Sequence, residues 1–512
     1  MTDETVKKIA KGAGIVFIGT GIGMFFAYLG MMIVARFLGP SDFGLISMAS
    51  AVATIASTVV LVGMPDGVVR FVSFYRGKND QERIKGVIIS ALEIVLPLGV
   101  VAGVLLFVFA DFISVGIFDE PNLTPVLRIF SFSVPFFVLF YIFNRAIGGF
   151  QEMKYVVYVR DIFQNGIRLF LLIVLLSLGY GVYGAAFAYT STVIAVPFVA
   201  LYHLNKIFPI FSKTIKCIYV RKELFSFSWP LMFAGMVGLV MGWIDTLMIG
   251  YFSTSYAVGI YRASLATAGL LLIISSSFGS IFMPVITELY SQHRTKELKE
   301  TNATVTKWIF LTVLPLVLLM IMFSERVLGI LYGLDYIAGA SALSILAFAY
   351  LIISVFRPTN QIISTVGRTR LIMVNTTVGA VFDVILNFYL IPVYGINGAA
   401  VATAISIIIV NALGFAEVYM VKHIHPLKLN YFKIFFSAII SASVVYVATK
   451  TFFGTPTIYI LIIMFILYMI VYFVLLLISK TFEQEDVVIM KAMEERSGIR
   501  SEWVRNVIGR FL

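Results

Sequence analysis

Charge is what this chain has least of. Only 13% of its 512 residues are Asp, Glu, Lys or Arg, against about 25% in a soluble domain. A water-facing surface cannot be assembled from so little, so soluble enzymes and disordered chains are excluded. Cysteine is scarcer still. The single Cys217 rules out an internal disulfide, and no CxxC or Cys/His spacing offers a metal site. His423 and His425 form an HxH within a basic stretch and read as solvated surface. What the chain has in abundance is apolar sequence: 60% hydrophobic residues and a mean hydropathy of +0.98. It reads as an all-α, polytopic membrane protein.

A crossing helix needs ~20 apolar residues. Segments that meet this fall at 12–38, 43–66, 86–110, 126–148, 161–179, 184–203, 229–251, 257–284, 308–332, 341–364, 371–391, 397–420, 432–453 and 457–480. Fourteen transmembrane helices are therefore expected. The first run is too long for the apolar core of a cleavable signal and is counted as a span. The net charge of +11 would suggest nucleic acid in a soluble chain. Here thirty of the 38 Lys and Arg fall on alternate connections, and the opposite set holds only Arg36, Arg326 and Lys450. That asymmetry predicts a cell-membrane protein with both termini cytoplasmic, and it calls for no nucleic-acid partner.

The chain also repeats itself. Ala35–Leu45 is echoed by Gly250–Ile260 at an offset of 215, with Phe37 on Phe252 and Gly44 on Gly259. Val95-Leu96-Pro97-Leu98 recurs as Val313-Leu314-Pro315-Leu316, and Phe143-Asn144-Arg145 resembles Thr359-Asn360-Gln361. Tyr180-Gly181-Val182-Tyr183-Gly184-Ala185-Ala186 recurs as Tyr394-Gly395-Ile396-Asn397-Gly398-Ala399-Ala400. Six helices per unit is an even number, so both units enter from the same side as parallel repeats. The expected plan is a six-helix lobe at 1–203, a basic cytoplasmic linker at 204–228 and a second six-helix lobe at 229–422. Two added helices follow within 423–480, then a cytoplasmic tail at 481–512. Trp503, Val507 and Phe511, with Arg500, Arg505 and Arg510 nearby, give that tail an amphipathic pattern suited to an anionic membrane surface. Two similar bundles around a central cavity describe a transporter that rocks between two open states. Matched prolines, Pro97 and Pro315, together with Pro135, Pro197 and Pro358, are expected to kink its helices.

Charges held inside a bilayer cost at least ~2.5–3.5 kcal/mol each, so they face a cavity or a partner. The basic set is Arg128, Arg145, Arg168, Arg262 and Arg357; the acidic set is Asp66, Glu93, Asp245, Asp383 and Glu417. On one reading Arg145, Arg168, Arg262 and Arg357 line a cavity for an anionic group such as a phosphate, which the planar guanidinium grips with two bonds. On the other they pair with the acids, and Arg128 and Arg262 snorkel to an interface. Asp245, in Trp243-Ile244-Asp245-Thr246, either binds a coupling cation or neutralises an arginine. Gly19-Thr20-Gly21-Ile22-Gly23 lies inside a spanning helix and reads as close helix packing rather than a phosphate loop. No catalytic constellation is present, and the longest external connection, 111–125, has no His or basic residue. No enzyme activity and no cofactor are expected. Coupling to a proton, sodium or the membrane potential stays open.

Several of these residues recur in one known family. Arg36-Phe37-Leu38-Gly39-Pro40-Ser41-Asp42-Phe43-Gly44 resembles the opening signature of the polysaccharide-biosynthesis transporters, a branch of the multidrug/oligosaccharidyl-lipid/polysaccharide exporter superfamily. Val69-Arg70-Phe71, Gly148-Gly149-Phe150-Gln151, Trp243-Ile244-Asp245 and Gly395-Ile396-Asn397-Gly398-Ala399-Ala400 are similar to later family motifs, in the family's order. The resemblance implies a flippase of the O-antigen transporter type. Such a protein carries a polyprenyl-(pyro)phosphate-linked oligosaccharide from the cytoplasmic to the outer leaflet by alternating access. It implies membrane lipids and glycan-assembly enzymes as partners, and a cationic cavity around the phosphate. Arg36 and Arg70 fall on motif positions and join the candidate substrate-binding residues. The rival within the superfamily is a cation-coupled multidrug exporter.

Overall fold

The computed structural model describes residues 3–422, 430–452, 458–483 and 486. Among them every regular element is a helix. Lipid offers no partner to a backbone N–H or C=O, so a spanning segment must satisfy these groups within itself. The helices are α1 (Asp3–Leu61), α2 (Met64–Gly77), α3 (Gln81–Val108), α4 (Leu123–Ser131), α5 (Ser133–Gly149) and α6 (Met153–Val157). They continue with α7 (Gln164–Ser177), α8 (Gly181–Ile207), α9 (Arg221–Phe252), α10 (Ser255–Gly269), α11 (Leu271–Ser291) and α12 (Thr295–Met322). The last are α13 (Ser324–Leu331), α14 (Ala340–Thr365), α15 (Thr369–Lys422), α16 (Asn430–Phe452) and α17 (Ile458–Ile478).

Among the described residues, nine helices are long and apolar enough to cross a membrane, or ten if the bent pair α4 and α5 is one span. The long helices α1 and α15 each hold two of the fourteen expected segments. The 59 residues of α1 and the 54 of α15 each contain a glycine with non-helical backbone, Gly39 at φ 77° and Gly395 at φ 55°. A left-handed φ is readily adopted only by glycine, and at Gly39 the next residue, Pro40, cannot continue the earlier turn's hydrogen bonding. A π-helical turn, Tyr158–Phe163, separates α6 from α7. α4 and α5 meet at 41°. Pro97, Pro197, Pro315 and Pro358 lie inside α3, α8, α12 and α14. Pro135 instead occupies the first turn of α5, where no N–H bond is lost.

Two compact units are present. The first comprises Met1–Ala263, Leu331–Asp335 and Asn387–Ile396; the second comprises Ser264–Ile330, Tyr336–Leu386 and Asn397–Leu512. The core of the first joins Val72 of α2, Val87 of α3, Ile142 of α5, Ala200 of α8 and Leu224 of α9. In the second, Leu271, Val313 and Leu351 of α11, α12 and α14 pack with Ile434 of α16 and Tyr472 of α17. The two C-terminal helices are thus anchored on α12, where the Tyr472 hydroxyl donates to the Leu311 carbonyl at 3.1 Å.

Small residues set the helix contacts, as expected where lipid offers apolar groups no gain from burial. A Cβ at Gly19 would stand 2.3 Å from Val157 Cγ1, and one at Gly23 would stand 2.6 Å from Asp161 Cβ. The glycine run in α1 is therefore a packing face against the π-helical turn, as its place inside a helix predicted. Gly63 is pressed equally tightly against the Ser228 carbonyl at the start of α9.

Candidate functional site

Asp245 is one of two deeply enclosed acids in the candidate set, with Asp383. It lies on α9, only 5% exposed. The Tyr261 hydroxyl of α10 donates to its Oδ2 at 2.6 Å, and Asn387 Nδ2 of α15 donates to its Oδ1 at 2.7 Å. Tyr261 and Asn387 are both fully buried. One donated hydrogen bond thus reaches each oxygen of the carboxylate. Asn387 Oδ1 and the Oγ1 of the next residue, Thr246, are also buried and have no hydrogen-bond partner. Oxygen donors of this kind suit a hard cation or a proton. Among the described residues, no group of three or more His, Cys, Asp or Glu is placed to hold a metal ion.

One turn away, the same two helices carry a second contact. The Arg262 guanidinium of α10 lies over the Trp243 ring of α9, 4.4 Å from its centroid, an arrangement that stabilises a cation within a low-dielectric setting. Arg262 is half-buried. The remaining predicted arginines of the first unit are spread out, each with its own surroundings. Arg145 is exposed and pairs with Asp66 at 3.9 Å. Arg168 is half-buried, donates to Asn165 Oδ1 and lies over Tyr189 at 5.2 Å. Arg70 lies over the Phe227 ring at 4.0 Å, joining α2 to α9. Arg36 is exposed near the end of the first half of α1. Arg357 belongs to the second unit, half-buried on α14.

The acids divide as well. Arg128, predicted to snorkel, pairs with the exposed Asp111 at 2.5 Å. Glu93 pairs with Arg221 at 2.5 Å, outside the intramembrane set. Glu417 accepts from Asn375 at 2.8 Å, and Asp383 is buried on α15. His423, His425 and the amphipathic residues of the tail lie outside the described residues.

Two buried charges were not among the sequence candidates. Asp161, in the π-helical turn, is gripped by two nitrogens of Arg160 at 2.9 Å each and accepts from Thr20 of α1 at 3.1 Å. Only the adjacency of Arg160 and Asp161 hinted at this pair. Lys307 of α12 is 2% exposed and reaches Asp486 at 2.5 Å. Trp308 Nε1 bonds the same carboxylate at 2.9 Å. Those partners stand 179 and 178 residues apart, beyond any local pattern.

Comparison with known proteins accords with this architecture. The model of the polysaccharide biosynthesis protein family matches residues 9–290, and the MatE model matches residues 230–389. The putative O-antigen transporter of Shigella flexneri is 23% identical over 387 residues, 73% of this chain and 89% of that protein. The probable low-salt glycan biosynthesis flippase Agl15 of Haloferax volcanii is 26% identical over 185 residues, 36% of this chain and 39% of that protein. A solved structure of the lipid II flippase MurJ in an inward closed conformation superposes with a TM-score of 0.72. It shares 15% identity and covers 90% of this chain and 97% of that one. Its likeness shows a shared fold. With more than half its length matched by one family model, this multi-pass membrane protein belongs to the polysaccharide biosynthesis protein family.

Proposed function

We propose that the protein is a flippase for a polyprenyl-(pyro)phosphate-linked oligosaccharide, carrying it from the cytoplasmic to the outer leaflet for surface polysaccharide or glycoprotein assembly. One observation carries this reading. A chain of the polysaccharide biosynthesis family keeps Arg145, Arg168, Arg262 and Arg357 within apolar helical sequence, where each costs ~2.5–3.5 kcal/mol to insert. Such a cost is sustained where an anionic ligand returns it in binding. The names of its relatives, an O-antigen transporter and a glycan biosynthesis flippase, support the same substrate class.

In this reading the lobes 1–203 and 229–422 rock about a central cavity while the lipid tail stays in the bilayer. Both termini are cytoplasmic, following the loop charges. Enzymes that build the glycan on one face and consume it on the other are the natural partners. Asp245 is the coupling element: its carboxylate binds a proton or sodium when Tyr261 and Asn387 release it. Replacing Arg145, Arg168, Arg262 and Arg357 together by Gln abolishes sugar export while membrane insertion persists. Normal export by a well-expressed quadruple variant refutes the cationic cavity.

A second reading is favoured by the MatE match over residues 230–389, which contain Asp245 and Arg262. It makes the protein a cation-coupled multidrug exporter. Reconstituted vesicles separate the two: gradient-driven efflux of a cationic dye, with no movement of a lipid-linked sugar, establishes the second and eliminates the first.

A further inference from the structure

Ser354, Arg357 and Gln361 stand at i, i+3 and i+7 on α14 and share one face of that helix. Each bears a buried polar atom that no protein group meets: Ser354 Oγ, Arg357 Nε and Gln361 Oε1. Ser354 is fully buried, with 0% exposure. Native structures leave few buried polar atoms unsatisfied, and each exception calls for a reason. Three on one helix face, within the second unit alone, call for a common one.

The orientation of Gln361 is fixed. Its Nε2 donates to the Gly279 carbonyl of α11 at 3.2 Å, which leaves Oε1 as a bare acceptor. Gly279 makes the room. A Cβ there would stand 2.9 Å from Gln361 Nε2 and 3.5 Å from Arg357 Cδ. On the same helix, Asn360 Nδ2 donates to Asn411 Oδ1 of α15 at 3.0 Å, and Asn411 Nδ2 donates to the Ile407 carbonyl at 2.8 Å. This braced pair holds α14 against α15 beside the three open atoms. Among the described residues no carboxylate pairs with Arg357.

The open set is mixed: one obligate donor, one obligate acceptor and one hydroxyl that serves as either. An ionised phosphate offers acceptors only, so it leaves Gln361 Oε1 facing like charge. The hydroxyls around a sugar ring both donate and accept, and satisfy all three atoms together. We propose that the Ser354–Arg357–Gln361 face of α14 is a carbohydrate subsite, reading sugar hydroxyls of the transported glycan. The proposal rests on the flippase reading and adds a sugar contact to the phosphate-binding role of Arg357.

The test uses the full chain in lipid nanodiscs and two kinds of probe. One is polyprenyl phosphate without sugar; the other is the same lipid carrying a hexose or an N-acetylhexosamine. The wild type is expected to bind at least one glycosylated lipid more tightly than the bare lipid. Ser354→Ala and Gln361→Leu each reduce that sugar increment about five- to tenfold, the loss of one buried hydrogen bond, and leave bare-lipid affinity unchanged. Ser354→Ala removes a single oxygen, so its result stands even if a larger change disturbs the fold. Equal weakening of bare and glycosylated lipid by Ser354→Ala and Gln361→Leu overturns the proposal. So does a wild type that gains nothing from the sugar. Failure of every lipid to bind, with dye efflux intact, removes the flippase reading as well and is thereby distinguished.

Discussion

A Cβ on Gly44 would stand 1.8 Å from the carbonyl oxygen of Ser255. The reciprocal relation holds for Gly259, whose Cβ would stand 2.0 Å from the Pro40 carbonyl oxygen. Residues 40 and 255, like 44 and 259, are partners in the internal repeat at the same offset. One contact is therefore made twice, as at an interface between two copies related by a two-fold axis. The repeat survives in packing where sequence identity is sparse.

That contact is tested by alanine. Gly44→Ala or Gly259→Ala forces backbone apart, and each is expected to lower stability by about 1–3 kcal/mol. Gly21→Ala, with nothing within 4 Å of its Cβ, is neutral. Apparent melting temperatures of the purified proteins in one detergent check the ordering. Equal melting of all three variants and wild type contradicts the reciprocal contact.

Asp245 gives a second prediction. Asp245→Asn keeps the size of the side chain and removes its charge, while the amide cannot accept both the Tyr261 and Asn387 bonds. Substrate binding is expected to persist while dependence of transport on a proton or sodium gradient disappears. Tyr261→Phe deletes one bond to the carboxylate and shifts the pH dependence of transport without abolishing it. Undiminished gradient-driven transport by Asp245→Asn removes the residue from coupling.

Lys307 gives a third. Removing one member of a buried ion pair costs about 3–5 kcal/mol, because the other is left uncompensated, whereas replacing both by apolar groups is often neutral. Lys307→Met is expected to destabilise strongly and Lys307→Met with Asp486→Leu to recover much of the loss. Thermal unfolding of the single and double variants measures the difference. A double variant as unstable as the single one argues against direct pairing.

Cys217 gives a pH prediction outside the spanning helices. Burial pushes its thiol above the ordinary cysteine range, outweighing the opposing pull of Lys85. A raised value means less thiolate at neutral pH, and thiolate is the reactive form. Alkylation by N-ethylmaleimide is expected to be slower than for glutathione at pH 7 and to rise as pH increases. As the sole cysteine, Cys217 makes mass spectrometry of the intact protein a clean readout. Glutathione-like rates at pH 7 contradict the burial.

Local chemistry made much of the fold legible. Apolar runs located the helices, and the place of Gly19 and Gly23 inside one of them foretold close packing. Gly44 and Gly259 were visible as repeat partners, although their contact was not, because sequence spacing says nothing of which backbones touch. Gly39 and Gly395, where the backbone leaves the helical region, fall between expected segments, whereas nothing in the apolar pattern marked the π-helical turn. Among the charges, Asp245 stood out because an acid deep in an apolar run needs a partner or a ligand. Lys307 and Asp161 did not, since each sits where a run meets a polar stretch and resembles an ordinary loop residue. Arg357 was found, but its neighbours Ser354 and Gln361 were not. Uncharged polar residues inside apolar helices attract no notice until their unmet hydrogen bonds are seen.

Lys307 also fixes where the protein can be shortened. The apolar helices end at Ile478, and hydropathy alone would trim the chain there. A chain cut at that point keeps every crossing helix yet strands an ammonium group in α12 without Asp486 or Glu483 to answer it. A chain that keeps this ion pair must therefore run at least to Asp486, eight residues beyond the last turn of α17.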